Sequence, residues 1–132
     1  PRLEAAPSAR IVNLASVMHR WASPDMLKVI TGEQEFNGYE DSKLAMILFT
    51  SEHRRRYANT NVTSFAVNPG FVRSSIWRDL LSLPVVGMLW QALTATFALS
   101  PAQGAATAVA AATQTFDSPP LYLAPYYVPT WL

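Results

Sequence analysis

The sequence predicts an α/β fold: a parallel sheet with helices on its faces. Three observations carry that expectation. The run RIVNLAS, residues 10–16, is apolar and β-branched without a break, as in a strand buried on both faces. NVTSFAVNPG, residues 61–70, is a second such run, stopped by Pro69-Gly70. Between them, 38–58 reads as a helix, so a crossover joins the two strands and sets them parallel.

Taken in order, 10–16 is the first strand. Residues 17–37 mix a Pro, a Gly, polar groups and one Trp, and read as a long loop with a short helix around Pro24–Ile30; loops of that length tend to be functional. The helix 38–58 carries Glu40 and Asp41 in its first turn and His53 to Arg56 in its last, an order that complements the helix dipole. The same order makes the His-Arg-Arg-Arg run a solvated helix end. The second strand is 61–67. Residues 73–99 read as lid helices, and no charged residue occurs from Leu80 to Phe116. Ser100, Pro101 and Gln103 form a helix start, so 101–115 is a helix whose alanines allow close packing on a sheet. A third short strand follows at 121–124. The tail from Pro125 is aromatic and Pro-spaced, with no element assigned to it. Three strands and about four helices in one domain, 1–132, form a sheet that looks like part of a larger one.

Composition excludes several function classes. Among 132 residues, ten basic and nine acidic side chains leave a net charge of +1, so there is no electrostatic case for a nucleic acid partner. The absence of cysteine removes disulfides, thiolate chemistry and cysteine-ligated zinc, and it fits a reducing, cytoplasmic setting. His19 and His53 show no metal-ligand spacing, so no metal is expected. Asn61-Val62-Thr63 matches a glycosylation acceptor but reads as a strand entry. The start at Pro1 and the lack of a signal peptide lead us to expect a piece of a longer chain.

The chemistry centres on Tyr39 and Lys43. Four residues apart on a helix, they lie on one face. An ammonium near a phenol favours the phenolate, which equips the hydroxyl to pass a proton to a carbonyl oxygen or take one from an alcohol. By itself the pair is as readily a chance spacing. Ser16 ends the first strand at its carboxyl end, where open α/β sheets place ligands, and Pro69-Gly70 ends the second strand at the equivalent point. The ordered set is harder to obtain by chance than any one member.

The pieces RIVNLAS, YEDSK opening a helix that continues LAMILFTSE, and VTSFAVNPGFVRSS resemble the short-chain dehydrogenases/reductases, closest to the retinol-dehydrogenase-like and WW-domain-oxidoreductase-like branch, over roughly residues 9–124. The resemblance implies the C-terminal part of a Rossmann-type fold. It implies an NAD(P)-dependent carbonyl reductase or alcohol dehydrogenase, with NADP ahead of NAD. By the same resemblance Tyr39 is the general acid/base, Lys43 assists it and holds the nicotinamide ribose, and Ser16 binds the substrate oxygen. Pro69, Gly70 and Val72 would line the carboxamide through their backbone, and Ser74 takes the place of a usual Thr. His19, Trp21, Phe71 and Trp77, with Met26, Met88 and Trp90, would bound a bulky apolar carbonyl or alcohol, each being as readily a packing residue.

Family members also carry a Gly-rich turn that seats the pyrophosphate, and none of the five glycines here forms one. This chain alone is therefore expected to bind a dinucleotide poorly and to expose an unpaired sheet edge. A competing reading follows: a non-catalytic domain that acts as an interaction or homodimerisation module through that edge. A third is peripheral membrane contact by LPVVGMLWQALTATFAL, 83–99, whose 17 uncharged residues fall short of the roughly 20 that span a bilayer. A serine hydrolase is the weakest reading, since Ser16 lacks the G-x-S-x-G elbow.

Overall fold

The computed structural model describes residues 2–73 and 84–125, with the backbone alone at 84–86, 89–91 and 93. Strand β1 spans Ala9–Leu14 and a 3₁₀ turn follows at Val17–Trp21. Helices α1 and α2 are Met26–Thr31 and Gly38–Arg56, and β2 is Val62–Val67. Then come α3, Pro84–Phe97; α4, Pro101–Thr113; and β3, Tyr122–Leu123. The three strands form one parallel sheet in the order β1-β2-β3, so the architecture is α/β as the sequence predicts. Of the lid segment 73–99, residues 74–83 lie outside the described residues. No helix among the described residues is long and apolar enough to cross a membrane.

One expectation needs correcting. Strand β1 is not buried on both faces: only Ala9 within it is buried, and Leu14 is 53% exposed. The reason is position, because β1 lies at the sheet edge and pairs with β2 alone among the described residues. The central strand β2 is the buried one, with Phe65, Ala66 and Val67 at 1% exposure or less.

The two sheet faces differ in chemistry. Side chains alternate along a strand. One set, Val12, Phe65, Val67 and Leu123, packs on Ala108, Ala111 and Phe116 from α4 and the turn after it. The small residues of α4 let it approach closely. The other set meets α2 through polar contacts. Asn13 Nδ2 donates to Thr50 Oγ1 at 2.9 Å, and Ser64 Oγ lies 2.8 Å from His53 Nδ1. Lys43 Nζ donates to the Leu14 carbonyl at 3.1 Å, and Arg54 Nη2 to the Pro119 carbonyl at 2.6 Å. Residues 43, 50 and 54 share one helix face by the seven- and four-residue spacing. This row fixes both the rotation of α2 and its position along the strands. The Asn13 contact explains why an asparagine interrupts an otherwise apolar run. At the far end of α2, Arg55 and Arg56 pair with Glu52 and hold its carboxyl down to about 2.

The start of α2 is built around Asp41, which is fully buried. Its carboxylate accepts from Ser23 N at 2.6 Å, Ser23 Oγ at 2.8 Å and Asn37 N at 2.7 Å. The bond to Asn37, the N-cap residue, satisfies a backbone donor that the helix itself leaves unpaired. Burial alone would push this carboxyl up; the hydrogen bonds from Ser23 and Asn37 outweigh it and leave the pKa below the ordinary 3.8. The sequence reads Asp41 as a first-turn acid that complements the helix dipole; the structure also makes it an internal anchor.

The loop after β2 is held by a parallel bridge between Val72 and Leu99, with Leu99 N donating to Phe71 O and Arg73 N to Leu99 O. Helix α4 starts with the expected capping box: Ser100 Oγ accepts from Gln103 N, and Gln103 Oε1 from Ser100 N. Its buried Gly104 lies against Val72, where a Cβ would stand 2.4 Å from Val72 Cγ2.

Two predictions follow from this packing. Gly104→Ala overpacks the contact and should cost about 1–3 kcal/mol, read as a lower urea midpoint, with Val72→Ala in the same chain restoring part of it. An unchanged midpoint contradicts the contact. Because the folded Asp41 titrates below its ordinary value, its stabilising contribution is complete above about pH 4 and is lost as pH falls through the folded value. The stability gap between the unaltered chain and Asp41→Asn should therefore narrow on acidification; a pH-independent gap contradicts that assignment.

Candidate active site

Strands β1 and β2 end in register, with Leu14 paired to Val67. Ala15 N donates to the Val67 carbonyl at 2.8 Å, so Ser16 is the first residue past the ladder. It caps the 3₁₀ turn, its Oγ accepting from Met18 N at 3.2 Å, which leaves the hydroxyl able to donate its own proton. On the neighbouring strand, Pro69-Gly70 leaves the sheet at the same level. Gly70 has φ +82° and donates its N–H to Asn68 Oδ1 at 3.0 Å. A Cβ there would lie 2.9 Å from Pro125 Cγ and 3.1 Å from Leu99 Cδ1, so both conformation and space demand glycine. Val72, locked by Leu99 and Gly104, holds the following turn.

Helix α2 brings Lys43 to this same edge, where its ammonium bonds the last β1 carbonyl. That ammonium also lies 5.1 Å from the centre of the Tyr39 ring, within the range of a cation–π contact. Tyr39 sits in the first turn of α2 and is 43% exposed, so its hydroxyl is not sealed in the interior. Ser16, Tyr39, Lys43, Pro69, Gly70 and Val72 thus come from the carboxyl ends of two strands and the start of the helix between them.

The expected substrate residues are placed less uniformly. His19 is half-buried, its Nδ1 2.5 Å from the Ser16 carbonyl and its ring edge-on to Tyr122 at 5.6 Å. Burial pushes the Tyr122 phenol up, against smaller opposing effects of the Asn68 side chain and the Arg20 charge. The Trp21 side chain is 62% exposed, while its carbonyl accepts from Asn37 Nδ2. Phe71 is half-buried and its backbone is tied to Leu99. Ser74 and Trp77 lie outside the described residues, as does the side chain of Trp90. Met88 is exposed on α3. Met26, expected beside the substrate, lines a different space: a groove of about 800 Å³ between α1 and α2, with Val29, Ile30, Phe36, Phe49 and Tyr57. Neither Ser16, Tyr39 nor Lys43 lines that groove, which is separate from the edge where the strands end.

The Asp41 anchor with Ser23 and Asn37 goes unread in the sequence. Its signal was present: Ser23-Pro24 and Asn37-Gly38 are turn pairs bracketing one loop, and an acid stands four residues after the second.

No protein-family profile and no solved structure matches the chain. Curated relatives do. Retinol dehydrogenase 12 of Bos taurus is 37% identical over 111 residues, covering 82% of this chain and 34% of that protein. Retinol dehydrogenase 11 of Homo sapiens is 39% identical over 109 residues, 80% of this chain and 32% of that protein. The dehydrogenase/reductase SDR family member FEY of Arabidopsis thaliana is 33% identical over 122 residues, 86% of this chain and 31% of that protein. The chain spans about a third of the length of the curated relatives it matches. With the fold and these relatives together, the chain belongs to the short-chain dehydrogenase/reductase family, in its retinol-dehydrogenase-like part.

Proposed function

We propose that this chain carries the catalytic edge of an NAD(P)-dependent oxidoreductase that interconverts a bulky apolar carbonyl and its alcohol. The observation that carries the reading is Lys43, which bonds the carbonyl of Leu14, two residues before Ser16, and lies 5.1 Å from the centre of the Tyr39 ring. In the reduction direction, the Tyr39 hydroxyl gives its proton to the carbonyl oxygen. The Lys43 ammonium stands opposite the charge left on the ring. The Ser16 hydroxyl donates to the same substrate oxygen and orients it. When bound, the nicotinamide dinucleotide supplies the hydride, or accepts it in the reverse direction.

The residues present fit the nicotinamide end of such a group. Lys43 has two N–H bonds beyond the one to Leu14, enough for a ribose hydroxyl. The backbone of Pro69, Gly70 and Val72, past the end of the neighbouring strand, would line the carboxamide, and Ser74, two residues after Val72, would assist. The pyrophosphate end has no glycine-rich turn here: Gly32 caps α1, Gly38 opens α2, and Gly70 serves the turn already described. Dinucleotide affinity of this chain is therefore low, and NADP or NAD is to be tested at saturating concentration. The names of the relatives point to retinol, an apolar polyene alcohol, as the substrate class, and the apolar Trp21 and Phe71 suit it.

The test is oxidation of NADPH or NADH by the chain with all-trans-retinal and with biphenyl-4-carboxaldehyde. Tyr39→Phe should lower kcat by ~100-fold or more, the scale of a lost general acid, with urea stability retained. Equal turnover by Tyr39→Phe contradicts the reading.

A further inference from the structure

We infer that Asp41 is a positioning residue that sets the substrate end of the site by clasping both ends of the 23–37 loop to the head of α2; this rests on the catalytic reading above. The carboxylate receives two bonds from Ser23, at the start of the loop, and one from Asn37, at its end. All three are 2.8 Å or shorter, as expected when the acceptor is charged. All three donors are neutral, and the carboxylate is wholly buried, so its charge is balanced by oriented N–H and O–H groups and by the helix start. A fourth bond, Asn37 Nδ2 to the Trp21 carbonyl, carries the tie one step further back.

The geometry has a specific consequence. The 3₁₀ turn bearing His19 and Trp21 ends two residues before Ser23. Tyr39 stands two residues before Asp41. One carboxylate therefore links the side chains expected to bound the substrate to the helix that holds the proton donor. The loop between is long and carries exposed Leu27, Ile30 and Phe36, so little apolar burial holds it. Loss of the clasp frees the turn at 17–21 while leaving the polar row of Lys43, Thr50 and Arg54, and so the acid/base pair, in place. A small carbonyl needs only that pair; a bulky one also needs the turn.

The experiment compares the unaltered chain, Asp41→Asn and Ser23→Ala, with biphenyl-4-carboxaldehyde and propanal as substrates and NADPH at saturation. Asp41→Asn keeps the shape but turns an amide N–H₂ against a donor. The expected result is a KM for the biphenyl aldehyde raised ~10-fold with kcat within ~3-fold, and a propanal KM within ~3-fold. Ser23→Ala, which leaves Asp41 two of its three bonds, should move the same KM by a smaller factor, and it decides the matter if Asp41→Asn does not fold. Amide exchange over 23–37 should quicken in both variants while that of β2 stays slow. Turnover in which both substrates lose kcat alike with unmoved KM, or loop exchange that stays unchanged, overturns the positioning role alone. Absence of turnover by the unaltered chain overturns the catalytic reading, and the positioning role with it.

Discussion

The row of polar contacts between α2 and the sheet governs this structure. Apolar packing is tolerant of small slides, whereas a hydrogen bond is made at one distance and one direction. Lys43 on Leu14, Thr50 under Asn13 and His53 against Ser64 set the helix at one height along β1 and β2. Each bond contributes only about 0.5–1.5 kcal/mol net, or up to about 3 where a charge takes part. Their larger effect is specificity: a helix shifted by one turn would take His53 from the buried Ser64 hydroxyl and Thr50 from the Asn13 amide. That register delivers the first turn of α2, and with it Tyr39, to the edge where both strands end.

The other face of the sheet divides the work. Phe65 and Val67 bury against Ala111 there, and this face supplies the cohesion that the polar face does not. The same packing locks the Pro69–Val72 turn, since Gly104 brings α4 onto Val72 and Leu99 bridges it from the other side. Cohesion on one face and direction on the other explain how so small a sheet holds a rigid edge. Apart from His19 against Tyr122, the loop 17–37 with α1 adds little to either face, which is why a single buried carboxylate matters so much to it.

Much of this was legible in the sequence, and the gaps have physical causes. Strands β1 and β2, helix α2 and the capping box of α4 follow from local pattern, from Pro-Gly punctuation and from the Ser100/Gln103 spacing, so they were readable. The burial of β1 was overestimated because apolar composition does not report whether a strand has a neighbour on both sides. Asn13 reads as part of an unbroken buried run and makes a cross-layer contact to a residue 37 positions away; no local pattern encodes that partner. Asp41 was read through the helix dipole, a true but minor effect, because its three donors come from residues 23 and 37. Of the candidate residues, Met26 is open by sequence to either a substrate or a packing role, and it lines the groove between α1 and α2, because the facing direction of a loop helix depends on packing.

The most direct test of this account is a set of nuclear Overhauser measurements on the folded chain. Cross-peaks from the Tyr39 ring protons to the Lys43 side-chain methylenes, together with one from the Asn13 side-chain amide to Thr50, are the expected result. A missing Asn13–Thr50 cross-peak would mean that α2 is rotated on the sheet, and Tyr39 ring protons without contact to Lys43 would mean that the proposed acid/base pair does not form.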